Sequence, residues 1–529
     1  MGEEKYLDPG PHIMNRGVQM KKIKVFFINI VLLTATSLLL HTINITFRVY
    51  LSNKLGPSGI GLYQLIMSVF MLAITFSISG IKLATTRLVA EELGIGNHYG
   101  AKKAMHRCLA YSILFGVASA MVLYTSADYI GIHWLNEEKT ILSLHLLAFS
   151  LPFIAMSSVL SGYFIAVRRI FKSATVQILE QLVSIGFTVA LLTAMLPKGI
   201  EYACAAIVIG TALSELASFL LLFFLYLHDS RRYRSDGKTS RHLTGRMLKI
   251  SLPIAFSTYI RSGLSTIEHL LIPSGLRKSG ASSDSALITY GTIHGMVMPI
   301  LMFPSAFLTA LADLLVPELA ESNILEKNVR IHYIIGRVFH LTLLFSIGVM
   351  GALFCYSQQL GMAIYQSREA AYYLRLLAPL VPIMYLDTTV DAVLKGLGYQ
   401  INSMRINILD SLISVILVYF LLPAYAINGY LITIYATETI NFVLSFCKLV
   451  SVTKFRPNIF SCILKPVFCI LSAVGCSNAF WYALGVSFSS PAFSAVAHIS
   501  LAAVVYFLLL YLLSCITRDD LHWFRSIFQ

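Results

Sequence analysis

Residues 251–274 read SLPIAFSTYIRSGLSTIEHLLIPS, a stretch long and apolar enough to cross a bilayer that still carries Arg261 and Glu268. A charge at membrane depth costs about 2.5 kcal/mol or more even on the lenient insertion scale, so each needs water or a partner. Ser257, Arg261, Ser265 and Glu268 follow steps of four, four and three, which places them on one face of a helix. Arg261 and Glu268 lie about 10 Å apart along that axis, too far to pair with each other. A spanning helix with one polar face predicts a wet cavity inside a bundle. The fold class follows: an all-α integral membrane protein.

Composition agrees. Of the 529 residues 57% are hydrophobic and 12% charged, and the mean hydropathy is +0.74, whereas soluble chains carry about 25% charged residues. Apolar runs of about 20 residues predict spans near 25–50, 60–82, 108–126, 141–167, 174–196, 203–228, 248–272, 286–314, 334–356, 373–395, 404–423, 428–450, 463–484 and 492–515. These make about 14 transmembrane helices. With the N-terminus inside, the inner segments hold 31 of the 40 Lys and Arg and the outer loops hold seven; Arg48 and Arg261 complete the set. This bias predicts that both termini are cytoplasmic. The formal charge of +14 then reflects positive-inside bias and contact with anionic membrane lipid, and no nucleic-acid partner is expected.

The chain divides at the basic segment 229–247, a cytoplasmic linker between an N-lobe at 25–228 and a C-lobe at 248–450. Laying the second half on the first gives weak internal similarity. Tyr63, Phe76, Leu88, Val89 and Glu91 match Tyr290, Phe303, Leu315, Val316 and Glu318 at an offset of 227. Ser173, Gln177 and Glu180 match Ser403, Asn407 and Asp410 at 230, and Glu215 and Phe219 match Glu438 and Phe442 at 223. Both halves start inside, so the expectation is two parallel six-helix lobes with two extra C-terminal helices at 451–515. Residues 1–24 read as a disordered cytoplasmic tail, shorter if translation starts at Met14 or Met20. Residues 516–529 read as a second cytoplasmic tail.

Eight acids fall within or near the spans: Glu180, Glu215, Glu268, Asp313, Asp387, Asp391, Asp410 and Glu438. Desolvation favours their protonated form, so each is a candidate to carry a coupling ion or to lock helices together by hydrogen bonding. Asp387 and Asp391 share a face of span ten, with Lys395 one turn further on. Arg48 has two readings, snorkelling to the headgroups or facing a cavity. His269 adjoins Glu268 and is a candidate for the same site. Cys462, Cys469 and Cys476 recur at sevens and are expected to pack one helix face. The chain has no Gly-rich phosphate loop, His/Cys cluster or nucleophile elbow. No catalytic residue, metal or cofactor is therefore expected, and a transporter is favoured over an enzyme.

Several stretches resemble the stage V sporulation protein B type of polysaccharide flippase within the multidrug/oligosaccharidyl-lipid/polysaccharide exporter superfamily. They are LGPSGIGLYQ at 55–64, YIRSGLSTIE at 259–268 with LIP at 271–273, FPSAF at 303–307, LVPELAE at 315–321, YLDTTVD at 385–391 and KGLG at 395–398. The resemblance implies a flippase related to the MurJ-type lipid II transporters in a bacterial plasma membrane. It further implies a V-shaped pair of lobes, a cationic cavity for pyrophosphate and sugars, and an apolar groove beside spans thirteen and fourteen for a polyprenyl tail. Arg48 and Arg261 are the residues that carry over to that cavity, with Glu268 and His269 nearby. The expected cargo is an undecaprenyl-pyrophosphate-linked saccharide used in cell-wall, spore-cortex or polysaccharide synthesis, and the expected consumer is a wall-synthesis polymerase. The coupling ion stays open between proton, sodium and chloride. The alternatives are a cation-coupled multidrug exporter of the same superfamily, and a non-transporting scaffold or glycosyltransferase partner.

Overall fold

The computed structural model describes residues 12–231, 242–324, 328–454, 459–485 and 490–515, and within them the regular structure is helical. The first half holds α1 (His12–Ile78), α2 (Ile81–Gly94), α3 (His98–Tyr129), α4 (Ile141–Ala148), α5 (Leu151–Ala166), α6 (Ile170–Met195) and α7 (Ile200–Ser230). The second holds α8 (Leu243–Lys278), α9 (Ser283–Tyr290), α10 (Met298–Met302), α11 (Ser305–Ile324), α12 (Asn328–Cys355), α13 (Ser357–Tyr365), α14 (Arg368–Leu377), α15 (Val381–Gly396) and α16 (Gln400–Thr453). Then come α17 (Ile459–Ala483) and α18 (Pro491–Leu512). Most of the expected linker, the start of the first tail and all of the last tail lie outside the described residues, as do the side chains of Asp313 and Cys462.

Two helices are interrupted. α1 breaks at Gly56, whose φ of 70° suits a residue without a Cβ. Arg48 lies within electrostatic reach of Tyr63, fifteen residues on, a distance of about 22 Å in a straight helix. The chain therefore turns back at Gly56. α16 breaks at Ala426, and Gly429 packs on the backbone of Leu421, so that chain reverses as well. Proline marks other boundaries: Pro152 and Pro382 open α5 and α15, where the missing N–H costs nothing. α4 and α5 meet at 46°.

Among the described residues ten helices suit a bilayer crossing by length and hydropathy, or eleven with α4 and α5 taken as one broken span. α1 and α16 each count once there despite their breaks. α8 is not among them, because its charges and polar residues lower its hydropathy. It is held by protein instead, with α16 on one side and α1 and α2 on the other. Pieces of the first half recur in the second. Ser161 and Ser173 hydrogen-bond at 2.8 Å, and 230 residues later Asp391 and Ser403 do the same. The pairing of α3 with α5 likewise recurs as α12 with α15. α17 and α18 pack on each other and on α12, where the Tyr506 hydroxyl donates to the Leu344 carbonyl at 2.8 Å.

Candidate functional site

α8 has two polar faces, and only one was legible as a stripe of charge. Along the other, Tyr259 donates to Ser79 Oγ at 2.6 Å, Thr75 and Ser262 hydroxyls meet at 3.1 Å, and Thr266 donates to the Ser68 carbonyl at 3.0 Å. Steps of three and four make these residues one row, and they seam α8 to α1 of the first half and to Ser79 just past its end. Hydroxyls are the residue type that stands out least from an apolar run, so this seam was missed in the sequence. The first turn of α8 extends the link: Arg246 donates to Glu92 Oε1 at 3.1 Å and also to Glu91, both on α2.

The charged face turns elsewhere. Arg261 is exposed, and Glu268 accepts a hydrogen bond from Ser414 of α16 at 2.7 Å. Asp410, one helical turn before Ser414, feels the charges of both Arg261 and Glu268. Glu438, on the second arm of α16, feels Asp387, Asp410 and Glu268. Asp387 accepts from Asn441 Nδ2 at 3.1 Å, while one carboxylate oxygen each of Asp387 and Asp410 is buried without a hydrogen bond. Asp391, whose charge Asp387 also feels, is bonded by Ser403 and paired with Lys395 Nζ at 2.5 Å. Four further acids and Arg261, from α8, α15 and α16, thus share one electrostatic neighbourhood with it. Charges this close interact, so protonation of any one of these groups bears on the others.

In the first half Glu180 on α6 and Glu215 on α7 also face each other electrostatically, and Ser218 bonds Glu180. Glu180 and Glu215 thus come together between α6 and α7, as Asp410 and Glu438 do between the two arms of α16. Among the described residues no group of three or more His, Cys, Asp or Glu has metal-holding geometry.

Arg48 is exposed and lies within reach of Tyr63 and of Tyr365 on α13. Close by, Asn53 Nδ2 donates to the Ile364 carbonyl at 3.1 Å. The two candidate arginines therefore sit at different depths. Ser262, beside Arg261, meets Thr75, and twelve residues of helix, about 18 Å, separate Thr75 from Tyr63. His269 does not face Arg261: its Nδ1 is 3.1 Å from the Tyr290 hydroxyl, and its ring packs at 4.9 Å on His294. The cysteine row divides too, since Cys469 is buried and Cys476 exposed.

A groove of about 570 Å³ opens between α11, α12, α17 and α18. Phe307, Phe345, Val349, Ile499 and Phe507 line it, and its surface is almost wholly apolar. It occupies the place where the resemblance puts a lipid tail.

The family model for "Polysaccharide biosynthesis protein" matches residues 27–323, more than half of the chain. The chain belongs to that family. A second model, MatE, matches residues 279–420, the stretch holding Asp387, Asp391 and Asp410. The chain is 26% identical to stage V sporulation protein B of Bacillus subtilis (strain 168) over 77% of its length and 80% of that protein. The lipid II flippase MurJ in an inward closed conformation has the same fold, with a TM-score of 0.65 at 16% identity over 91% of this chain and 98% of that one. An inward-facing multidrug resistance MATE family transporter of the MOP superfamily matches with a TM-score of 0.61 at 17% identity, over 78% and 94%. This family member is a multi-pass membrane protein with the MurJ and MATE fold.

Proposed function

We propose that this chain carries a polyprenyl-pyrophosphate-linked saccharide from the inner to the outer leaflet by alternating access between an N-lobe at 25–228 and a C-lobe at 248–450. The carrying observation is the pairing of two separate environments, a cation-bearing polar face at Arg261 and the apolar groove beside α17 and α18. A lipid-linked saccharide needs both. Its head cannot cross hydrocarbon with its polar groups unsatisfied, whereas its tail needs no aqueous path. Arg261 and Arg48 offer the diphosphate charge-assisted hydrogen bonds. The acids Glu268, Asp387, Asp410 and Glu438, with Glu180 and Glu215 in the other lobe, are assigned to coupling. Asp391, paired with Lys395, is assigned to holding α15. We place the protein in a bacterial plasma membrane with 14 spans and both termini cytoplasmic, delivering to a wall-synthesis polymerase outside.

The test is reconstitution of the full chain in liposomes with a labelled undecaprenyl-pyrophosphate disaccharide, scoring the label that reaches the opposite leaflet. Arg261→Ala is expected to slow flipping markedly at unchanged protein folding. Flipping at the unaltered rate in Arg261→Ala and Arg48→Ala would remove the proposed head-group site. A second reading, cation-coupled export of a small amphipathic cation, draws on the acids outnumbering the arginine around Glu268. Gradient-driven efflux of a cationic dye from the same liposomes, without flipping of the labelled lipid, would favour it.

A further inference from the structure

The polar groups gathered around Arg48 are donors without protein acceptors. Among the described residues no carboxylate pairs with its exposed guanidinium. Tyr63 and Tyr365 both lie within its electrostatic reach, and they come from different halves. Tyr63 stands on the second arm of α1, past the Gly56 turn, and Tyr365 is the last residue of α13. Tyr365 is 6% exposed, and its hydroxyl is buried without a hydrogen bond. Ser52, one turn on from Arg48 and so on the same face, has a buried hydroxyl without one too.

Leaving a buried hydroxyl unbonded is costly, and folded proteins keep few such groups. The phenol of Tyr365 is held firmly in that position. Asn53 Nδ2 donates to the carbonyl of its neighbour Ile364 at 3.1 Å, and Tyr365 shares an apolar core with Leu51 and Leu55 on the Arg48 arm. Phenylalanine would fill that core without the penalty. The duplicated tyrosine gives a contrast. Tyr290, the counterpart of Tyr63 at an offset of 227, meets His269 at 3.1 Å, whereas Tyr63 faces the arginine.

We propose that Tyr365, with Tyr63 and Arg48, forms a diphosphate site whose donors come from both halves. A guanidinium and two phenols supply N–H and O–H donors around one point, and oxyanions take strong charge-assisted bonds from such groups. The arginine carries the charge. The phenols add direction without adding charge that would hold the anion fast. The Tyr365 hydroxyl is closed to solvent in this conformation, so α13 and α1 must part slightly for the anion to reach it. A bound diphosphate then bridges the two halves at the Gly56 end of the bundle and satisfies the unbonded hydroxyl. This inference rests on the proposed transport reading for the lipid attached to the diphosphate, but the site itself is tested without it.

The experiment is isothermal titration of the full chain in lipid nanodiscs with inorganic pyrophosphate, beside thermal unfolding of the same samples without ligand. Tyr365→Phe should weaken binding about tenfold, the usual weight of a hydrogen bond to a charged group. Arg48→Ala should weaken it further. Without pyrophosphate, Tyr365→Phe should unfold at the wild-type temperature or above, because the hydroxyl it loses has no partner. A merely structural tyrosine would show the reverse, with lower stability at unchanged affinity. Unaltered affinity in Tyr365→Phe overturns the proposal, and so does a wild-type chain that binds no pyrophosphate. Flipping of the labelled lipid separates the two sources of the anion. If Tyr365→Phe loses affinity yet flips that lipid at the wild-type rate, the site takes free diphosphate and not the lipid head. If pyrophosphate binds as expected and the wild type flips no lipid, the site stands and the transport reading falls.

Discussion

Ser414 donates a hydrogen bond to Glu268 Oε1 at 2.7 Å across the contact between α16 and α8. This bond turns a stripe of charge into a site, because it brings Glu268 to the helix that carries Asp410 and Glu438. An acid on a spanning helix is costly alone. Here a hydroxyl satisfies one oxygen, and the charges of the neighbouring acids converge on the same site.

Removing the bond and removing the charge should have separable effects. Ser414→Ala deletes one interhelical hydrogen bond, worth about 0.6 kcal/mol on average within membranes, so a small drop in thermal stability is expected. Glu268→Gln keeps an acceptor oxygen and should fold, yet lose coupled transport. Thermal unfolding in detergent and flipping in liposomes measure the two. Wild-type flipping by Glu268→Gln would reduce Glu268 to a helix fastener.

The close passage of α1 over α9 offers a mechanical test. A Cβ on Gly61 would run into the Leu287 carbonyl, and one on Gly291 would run into the Pro57 carbonyl and lie 2.7 Å from the Gly61 nitrogen. Backbone atoms cannot rotate away, and small residues are what let membrane helices approach this closely. Gly61→Ala and Gly291→Ala should each separate the halves at this end at a cost of about 1–3 kcal/mol. Raised accessibility of nearby engineered cysteines to a membrane-impermeant thiol reagent would report it. Unchanged accessibility would show that the contact gives way elsewhere.

The membrane class, the helical fold, the duplicated acids and the charged face of α8 were legible because each departs from a run of apolar residues. The offsets matched Glu180 with Asp410 and Glu215 with Glu438 between the halves; the approach of Glu180 to Glu215, and of Asp410 to Glu438, within each half came only with the fold. What was not legible depends on partners far along the chain. The Ser79–Tyr259 and Thr75–Ser262 bonds join hydroxyls of the kind found on any spanning helix. His269 adjoins Glu268 in sequence, but helical rotation aims it at Tyr290 and His294 instead. The two arginines looked like one clamp, yet their neighbours Tyr63 and Thr75 set them at different depths.

At the start of α8, Arg246 ties the second half to α2. Glu92 is 1% exposed while Glu91 and Arg246 are each 38% exposed, so the energetic weight falls on Glu92. Arg246→Ala should destabilise by roughly 1–3 kcal/mol through the under-satisfied Glu92. Arg246→Lys should recover only part, since an ammonium lacks the guanidinium fork, and Glu91→Gln should cost little. Glu91 lies past the span expected at 60–82. A hydrogen bond from Arg87, then Arg246, hold its carboxyl below the usual range. Its contribution is therefore complete above the ordinary Glu value of about 4.3 and is lost as pH falls below it. Unfolding temperatures of the three variants between neutral and acidic pH check each sign.

The groove beside α17 and α18 can be filled without disturbing the core, because Ala503 lines it and is exposed. Ala503→Trp should leave folding intact and slow flipping of an undecaprenyl-linked disaccharide. The same disaccharide on a short prenyl chain should be much less affected. Equal loss for both chain lengths would separate the groove from the tail.

The depth difference between Arg48 and Arg261 makes a sharper demand on the transport reading. If both arginines gripped one diphosphate at one moment, losing either would spoil the site, and the second loss would add little. Set at different depths by Tyr63 and Thr75, which lie about 18 Å apart along their helix, they instead meet the head at successive stages. Effects of distant, independent sites add to within about 0.3–0.5 kcal/mol. Arg48→Ala, Arg261→Ala and the double variant should therefore reduce flipping with multiplicative rate factors when each stage contributes to the measured rate. Measuring rates over a range of lipid concentrations identifies that regime. A double variant no slower than the worse single one would mean that the halves rearrange to bring both arginines onto the same head group.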